Sequence, residues 1–103
     1  MFTQRGDLKL NFYSMKLNND YLLREIAGEK VIIMQSDKML DMTKIISLNT
    51  TSEYLWQYLQ NKEFSLNDVV DALYSKYNVS REQAESDATA WVEKLLNLSL
   101  IYV

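Results

Sequence analysis

Carboxylates at helical spacing are the first residues that could do chemistry. Asp68 and Asp71 lie three positions apart, and Glu82, Glu85 and Asp87 follow on neighbouring turns of a later segment. Such pairs can bind Mg²⁺ or transfer protons. They are equally typical of solvent-exposed helix faces and of helix N-termini. Nothing else in the sequence supports a metal, so we interpret them as surface residues and predict neither a metal site nor a catalytic residue.

Two residue types that dominate enzyme chemistry are missing. The 103 residues contain no cysteine and no histidine. This removes thiolate metal sites, cysteine nucleophiles, the commonest general base and the middle member of a Ser-His-Asp triad. The 11 Lys and Arg residues against 14 Asp and Glu give a net charge of −3, which disfavours nucleic acid or an anionic membrane as a partner. Catalysis by carboxylate, lysine or tyrosine side chains stays possible, but most familiar enzyme chemistry is excluded by composition.

The length and the apolar pattern indicate one domain away from membranes. At 103 residues and 48% apolar composition, the chain can form a single packed core. Its longest apolar stretch, Leu95 to Val103, is far shorter than the roughly 20 residues of a membrane-spanning helix. The N-terminus lacks the apolar block of a secretory signal. These features predict a cytoplasmic protein.

Three strand patterns occupy the first half of the chain. Tyr21–Ile26 and Lys30–Met34 flank Ala27–Glu29, whose glycine predicts a tight hairpin turn. Residues 35–42 are interpreted as a polar loop, and Thr43–Leu48 as the third strand. The expected arrangement is an antiparallel meander with the third strand at one edge.

Three helix patterns follow, each opened by a capping residue. Asn49 or Thr50 caps a helix that runs to about residue 61, and Ser65 begins the second. Ser80 and Gln83 form a capping-box pattern for the third helix, which is expected to end near residue 98. The last four residues could form a short return strand.

The order of these elements predicts the fold class. Three strands followed by three helices give an α+β domain, with the helices segregated from a three-stranded antiparallel sheet. The second and third helices, joined by the short Asn78–Val79 link, resemble a helix-turn-helix beside a sheet. The prediction is a winged-helix-turn-helix-like domain.

The N-terminal segment differs from this domain. Leu8, Leu10 and Phe12 alternate with polar residues as a strand does. We assign residues 1–14 to an extension and residues 15–103 to the domain. An unpartnered apolar strand is prone to aggregate, so we expect the extension to pair with a sheet edge in the same molecule or in a second copy. The second case would give a homodimer.

The two tryptophans allow a core or a binding interpretation. Trp56 is interpreted as a core residue. For Trp91 both interpretations stay open, because Ala84 and Ala88 on the same stripe are small enough to leave a shallow hollow for a partner. Leu95 continues that stripe.

DNA binding is the alternative from another functional class. In a helix-turn-helix the third helix would read the groove. Its charged residues are Arg81 and Lys94 against Glu82, Glu85, Asp87 and Glu93. This acidic balance opposes the phosphate contacts that supply most non-specific affinity. A winged-helix DNA-binding regulator is therefore kept as the alternative only.

The edge strand is the remaining candidate site. Its residues are Thr43, Lys44, Ile45, Ile46, Ser47 and Leu48. Edges are normally protected by charge, proline or bulges, and here Lys44 is the only charge. Such an edge could accept an extended peptide as an added strand. It could equally be covered by a loop, by the N-terminal segment or by a second protomer.

Five stretches of the chain match a known family in combination. They are Leu22–Glu29; Leu48-Asn49 with Trp56; Asp68-Val69-Val70 with Leu73; Tyr77–Ser80; and Leu95-Leu96 with Leu100-Ile101. Together they resemble the PqqD family over about residues 16–103. Members of this family act in pyrroloquinoline quinone assembly and, more widely, as the recognition domains of peptide-modification pathways. Asn61–Glu63 departs from the pattern, since the family often has glycine there.

The resemblance implies a small non-catalytic domain that acts as a peptide chaperone, and we predict neither enzyme activity nor a cofactor. Such a domain binds the leader of a ribosomally made precursor peptide and presents it to a modifying enzyme, often a radical S-adenosylmethionine enzyme. In the family the leader adds to the third strand and lies against the third helix. Carried over by position, it would contact Thr43–Leu48 and Ala84, Ala88, Trp91 and Leu95. An adaptor that binds an enzyme alone is a third interpretation.

Overall fold

The computed structural model describes the backbone of residues 13–36 and 39–103, and the side chains of residues 13–35 and 45–103. In chain order the elements are β1 (Lys16–Leu17), β2 (Tyr21–Ile26), β3 (Glu29–Ser36), β4 (Met39–Ser47), α1 (Thr50–Tyr58), α2 (Leu66–Lys76), α3 (Arg81–Asn97) and β5 (Ile101–Tyr102). Strands β2, β3 and β4 form an antiparallel sheet in that order. The predicted α+β class is confirmed. The proposed extension strand at residues 8–12 lies outside the described residues.

The first hairpin turns where the glycine predicted it. Ala27 and Gly28 both have positive φ, at 53° and 83°. Two consecutive left-handed residues make the type I′ turn whose twist matches that of the flanking strands. Gly28 takes this conformation without a Cβ penalty. The turn brings β3 between β2 and β4, where Ile32 and Ile33 are fully buried.

The polar loop predicted at residues 35–42 is wrong for most of its length. β3 continues to Ser36 and β4 begins at Met39. The polar composition of this stretch resembles a loop, yet a strand at a sheet edge needs few buried residues. Pairing with the neighbouring strand therefore outweighed the local composition.

Side-chain caps begin all three helices, largely as the sequence predicts. Asn49, Ser65 and Ser80 each accept a hydrogen bond from a backbone N–H three residues later, at 2.8, 3.3 and 3.0 Å. The complete capping box lies at Ser65, where the backbone N–H donates to Asp68 at 2.9 Å. At Ser80 the predicted box is half formed, because the Gln83 side chain donates further along α3 instead.

The C-terminus of α3 is closed by a Schellman motif. The Leu100 N–H donates to the Leu95 carbonyl, and the Ser99 N–H to the Leu96 carbonyl. Ser99 adopts a φ of 63°, the left-handed conformation that this motif needs. The chain then reverses into β5, which pairs with β1 rather than with the three-stranded sheet.

One hydrophobic core joins the helices, the inner face of the sheet and the β1–β5 pair. Its fully buried side chains include Met15, Ile32, Leu55, Trp56, Leu59, Val69, Val92 and Leu100. Trp56 is therefore a core residue, as predicted. Tyr58 of α1 and Tyr74 of α2 are by contrast 46% and 48% exposed. Within residues 13–36 and 39–103, no helix has the length and apolar character needed to cross a membrane.

Candidate functional site

β4 is an edge strand. Its neighbour on one side is β3, and among the described strands nothing pairs with its other side. The predicted peptide-binding strand, Thr43–Leu48, lies in the C-terminal half of β4 and the residue after it. An edge of this kind presents unpaired backbone donors and acceptors.

The backbone groups that face outward follow from the strand register. The Leu48 N–H donates to the Lys30 carbonyl at 2.9 Å, and these two residues lie directly opposite each other. Hydrogen-bonded pairs alternate with non-bonded pairs along an antiparallel ladder. Ile46 therefore directs its N–H and C=O toward β3. Ile45 and Ser47 direct theirs toward the open edge.

The side chains of this strand alternate between two faces. Ile46 and Leu48 are half-buried and pack against the core, on the side of the helices. Ile45, 38% exposed, and the exposed Ser47 point to the other face. A peptide strand beside β4 would therefore direct every second side chain toward Ile46 and Leu48.

A bulge limits the regular edge. Two adjacent residues of β3 pair with Ile45 and with Asp41, so Met42, Thr43 and Lys44 have no partner in β3. Extra residues of this kind bend the strand and interrupt the ladder. Thr43 and Lys44, predicted as part of a continuous edge, lie in this bulge. Regular pairing lies on both sides of the bulge, at Met39–Asp41 and from Ile45 onward, and only the second segment belongs to the predicted site.

Trp91 lies where β4 leads into α1. The side chain is half-buried against the core, and its Nε1–H donates to Ser52 Oγ at 3.2 Å. Ser52 is in the first turn of α1, four residues after Leu48. This contact directs Trp91 of α3 toward the C-terminal end of the open edge. Sequence reasoning missed Ser52, because an unremarkable serine in a first helical turn gives no signal of a contact across the fold.

The other three predicted residues of α3 belong to the core. Ala84 and Ala88 are fully buried and Leu95 is 4% exposed. The shallow hollow expected at the two alanines is therefore filled, because α3 packs this small-residue stripe closely against its neighbours. A direct contact of these residues with a peptide stays a prediction. Among the side chains that the structure describes, Ile46, Leu48 and Trp91 are partly exposed apolar groups at or near this edge.

Apart from Glu82, the carboxylates at helical spacing have structural partners, and Asp68 is held in the Ser65 capping box. Asp71 lies 2.9 Å and Glu85 4.0 Å from the Arg81 guanidinium, and Asp87 accepts from Gln83 at 2.9 Å. The part of the chain that the structure describes contains no group of three or more acidic, His or Cys residues that could hold a metal. Two carboxylates engage Arg81, so Lys94 is the basic side chain of α3 without an ion pair among the described residues, and it lies next to the exposed Glu93. This charge balance opposes contacts with a phosphate backbone.

A lysine links the first hairpin to α1 at the end of the open edge. Lys30 Nζ lies 3.2 Å from Glu25 and 3.6 Å from Glu53. The hydrogen bond to Glu25, together with the negative charges of both glutamates, raises the pKa of Lys30 above its usual value of 10.5. The ammonium thus holds β2, β3 and the first turn of α1 together.

Comparison with known families identifies the domain. The family model of coenzyme PQQ synthesis protein D (PqqD) matches residues 30–101. The chain belongs to the PqqD family. The matched range contains β4, α3 and the junction at Trp91, and so confirms the resemblance found in the sequence. No curated protein sequence matches the chain.

A solved structure shares the fold of this PqqD-family chain. It is described as TbiB1 in complex with the TbiA(beta) leader peptide. The two chains are 22% identical and superpose with a TM-score of 0.65 over 85% of this chain and 98% of that chain.

Proposed function

We propose that this domain binds the leader segment of a ribosomally made precursor peptide and presents it to a peptide-modifying enzyme. The observation that carries the proposal is the open edge of β4, with outward-facing main-chain groups at Ile45 and Ser47. Membership of the PqqD family supports it, as does TbiB1, a protein of the same fold that was solved with a leader peptide.

The leader adds to β4 as a fourth strand. Main-chain hydrogen bonds contribute about 0.5–1.5 kcal/mol each, whereas ordering a disordered segment costs about 2–5 kcal/mol. Bonds to the N–H and C=O groups of Ile45 and Ser47 would contribute about 2–6 kcal/mol, which offsets the ordering cost but cannot supply the net binding free energy of about 8 kcal/mol that micromolar affinity requires. Apolar leader side chains at alternate positions must therefore contact Ile46, Leu48 and Trp91, and the expected dissociation constant is on the order of micromolar or lower.

The enzyme that receives the leader is proposed to be of the radical S-adenosylmethionine type, or another peptide-modifying enzyme. In this function the domain itself contributes no catalytic group, cofactor or metal. Because ribosomes make the precursor in the cytoplasm, the domain acts there too.

Proline substitutions at two adjacent positions test strand addition. Ile45→Pro removes a donor that faces the leader, so we expect leader affinity to fall about tenfold or more with little loss of stability. Ile46→Pro removes a donor that faces β3, so we expect it to lower the melting temperature. Leader peptides from the same genetic locus are titrated against both variants by calorimetry.

Each variant is the control for the other, because both remove one backbone N–H from β4. The N–H of Ile45 faces the open edge, and that of Ile46 faces β3. If Ile45→Pro stays folded and binds the leader as tightly as the unmodified protein, the leader does not add at this edge.

A further inference from the structure

Aromatic and basic side chains form a second surface on α1 and the end of α2. Its members are Tyr54, Tyr58, Lys62, Lys76 and Tyr77, here named the tyrosine–lysine patch. Tyr58 is 46% exposed, and both lysines are exposed. The leader site uses none of these residues.

The patch is ordered by contacts among its own side chains. Tyr54 and Tyr58 stack with ring centroids 5.8 Å apart, and Tyr77 meets Tyr54 edge-on at 6.3 Å. Lys62 Nζ lies 4.1 Å from the Tyr58 centroid, and Lys76 Nζ lies 5.0 Å from that of Tyr54. Side chains ordered before binding lose less entropy in a complex.

The patch and the leader site lie on different faces of α1. Successive helical residues are rotated by about 100°, so Tyr54 and Tyr58 lie about 200° and 240° around the helix from Ser52. Ser52 is the residue that contacts Trp91 beside the open edge. A macromolecule on the patch would therefore leave β4 free for the leader.

The charge of the patch differs from that of the whole chain. Lys62 and Lys76 form no ion pair with any residue that the structure describes, whereas Lys30 and Arg81 are both paired. The chain as a whole carries a net charge of −3. An available positive patch on an acidic protein is complementary to an acidic partner surface.

We propose that the tyrosine–lysine patch docks the peptide-modifying enzyme through an acidic surface of that enzyme. The inference rests on the proposed function, since it assigns a second surface to the same adaptor. Tyrosine is enriched in protein interfaces, where its ring contributes contact area and its hydroxyl a hydrogen bond. The domain thus holds leader and enzyme at the same time, on opposite sides of α1.

A protein partner suits the patch better than single-stranded nucleic acid does. Nucleic acid binds such surfaces by stacking bases on open aromatic faces. Here Tyr54 and Tyr58 each contact another ring and a lysine ammonium, which occupies the faces that a base would need. Tyr58, 46% exposed, supplies the accessible aromatic surface, whereas Tyr54 and Tyr77 pack partly against the core and support it.

Charge reversal at Lys62 tests the docking surface. Lys62→Glu should weaken affinity for the purified modifying enzyme of the same locus about tenfold at low ionic strength, because it places a carboxylate against an acidic surface. Tyr58→Ala, which removes the ring beneath Lys62, should weaken it about fivefold. Arg24→Glu is the matched control: Arg24 is exposed on β2, and the reversal changes the net charge equally.

Enzyme affinity is measured by biolayer interferometry without leader, and leader affinity by a separate titration. We expect both patch variants to keep leader affinity within about twofold. An equal loss of enzyme affinity in the Lys62→Glu and Arg24→Glu variants, or no loss in Lys62→Glu, would overturn the docking surface. So would binding of single-stranded oligothymidine that Lys62→Glu abolishes while enzyme affinity is unchanged. Failure of the leader titration alone would instead contradict the proposed function.

Discussion

The two tryptophans lie in different surroundings, and this difference makes them a matched pair. Trp56 is 1% exposed within the core, whereas Trp91 is half-buried beside the open edge. Trp56→Ala is expected to cost about 3–5 kcal/mol of unfolding free energy. Trp91→Ala should cost about 1–2 kcal/mol, because part of its surface is already in water.

Trp91→Ala should weaken leader binding more than it weakens folding. The variant removes a large aromatic side chain beside the edge, so we expect a loss of about a hundredfold in leader affinity, which corresponds to about 2.7 kcal/mol. Thermal melting and leader titration on the same preparation compare the two effects. A large fall in melting temperature with unchanged affinity in the folded fraction would assign Trp91 to the core alone.

The raised pKa of Lys30 predicts a stability contribution that alkali removes. A cation whose pKa is higher in the folded state stabilises that state fully below its unfolded pKa of about 10.4. The contribution is lost as the pH rises through the folded value. Lys30→Gln should therefore lower the melting temperature near pH 8, and the difference from the unmodified protein should narrow above pH 10.5.

Lys16→Gln is the control, because Lys16 is exposed and forms no ion pair with a described residue. If the difference in melting temperature between Lys30→Gln and the unmodified protein stayed constant to high pH, it would contradict stabilisation of the Lys30 cation by Glu25 and Glu53.

At the scale of the element, the two capping sites of α2 and α3 invite a direct comparison. Asp68 and Gln83 occupy the same position of their helices, but only Asp68 accepts a hydrogen bond from the N-cap backbone. Asp68→Ala should cost about 0.5–2 kcal/mol of unfolding free energy, and Gln83→Ala less than about 0.5 kcal/mol. Urea denaturation measures both. Equal costs would mean that the reciprocal bond contributes nothing.

Elements defined by local signals could be predicted from the sequence. Gly28 has the required left-handed φ, and Asn49, Ser65 and Ser80 cap the helices they were predicted to cap. The predictions are wrong where the structure of a segment depends on its contact with a segment distant in the sequence. Most of the loop predicted at residues 35–42 is strand, because β3 and β4 pair with each other there. No local sequence pattern encodes that pairing.

The candidate site also has some features that could be predicted from the sequence and others that could not. Alternation along Ile45–Leu48 and the edge position of this strand follow from order and periodicity, so they could be predicted. The bulge depends on the register against β3, which composition does not encode. The burial of Ala84 and Ala88 depends on how closely α3 approaches its neighbours, because a small side chain fits a close-packed interface as well as an open hollow.

At the scale of the whole molecule, the N-terminal extension stays a prediction, since residues 1–12 lie outside the described range. Met15, the start of the proposed domain, is fully buried and pairs with Phe64. Deleting residues 1–12 should therefore preserve the fold. If the extension covers β4, the deletion tightens leader binding. If it pairs with a second copy, the mass in solution falls.

Light scattering and leader titration of the truncated protein distinguish these cases. Unchanged mass together with unchanged affinity would make the segment a passive tail and end its assignment to a sheet edge.

The bulge at Met42–Lys44 has a kinetic consequence. Because it shortens the regular edge, each bound leader is retained by few main-chain bonds. With a dissociation constant of about 1 μM and an association rate constant of about 10⁵–10⁷ M⁻¹s⁻¹, a leader dissociates at about 0.1–10 s⁻¹. The corresponding residence times of about 0.1–10 s are comparable with the turnover time of a slow enzyme, since typical kcat values start at about 1 s⁻¹. One copy of the domain can therefore release a finished peptide and deliver many precursors in succession.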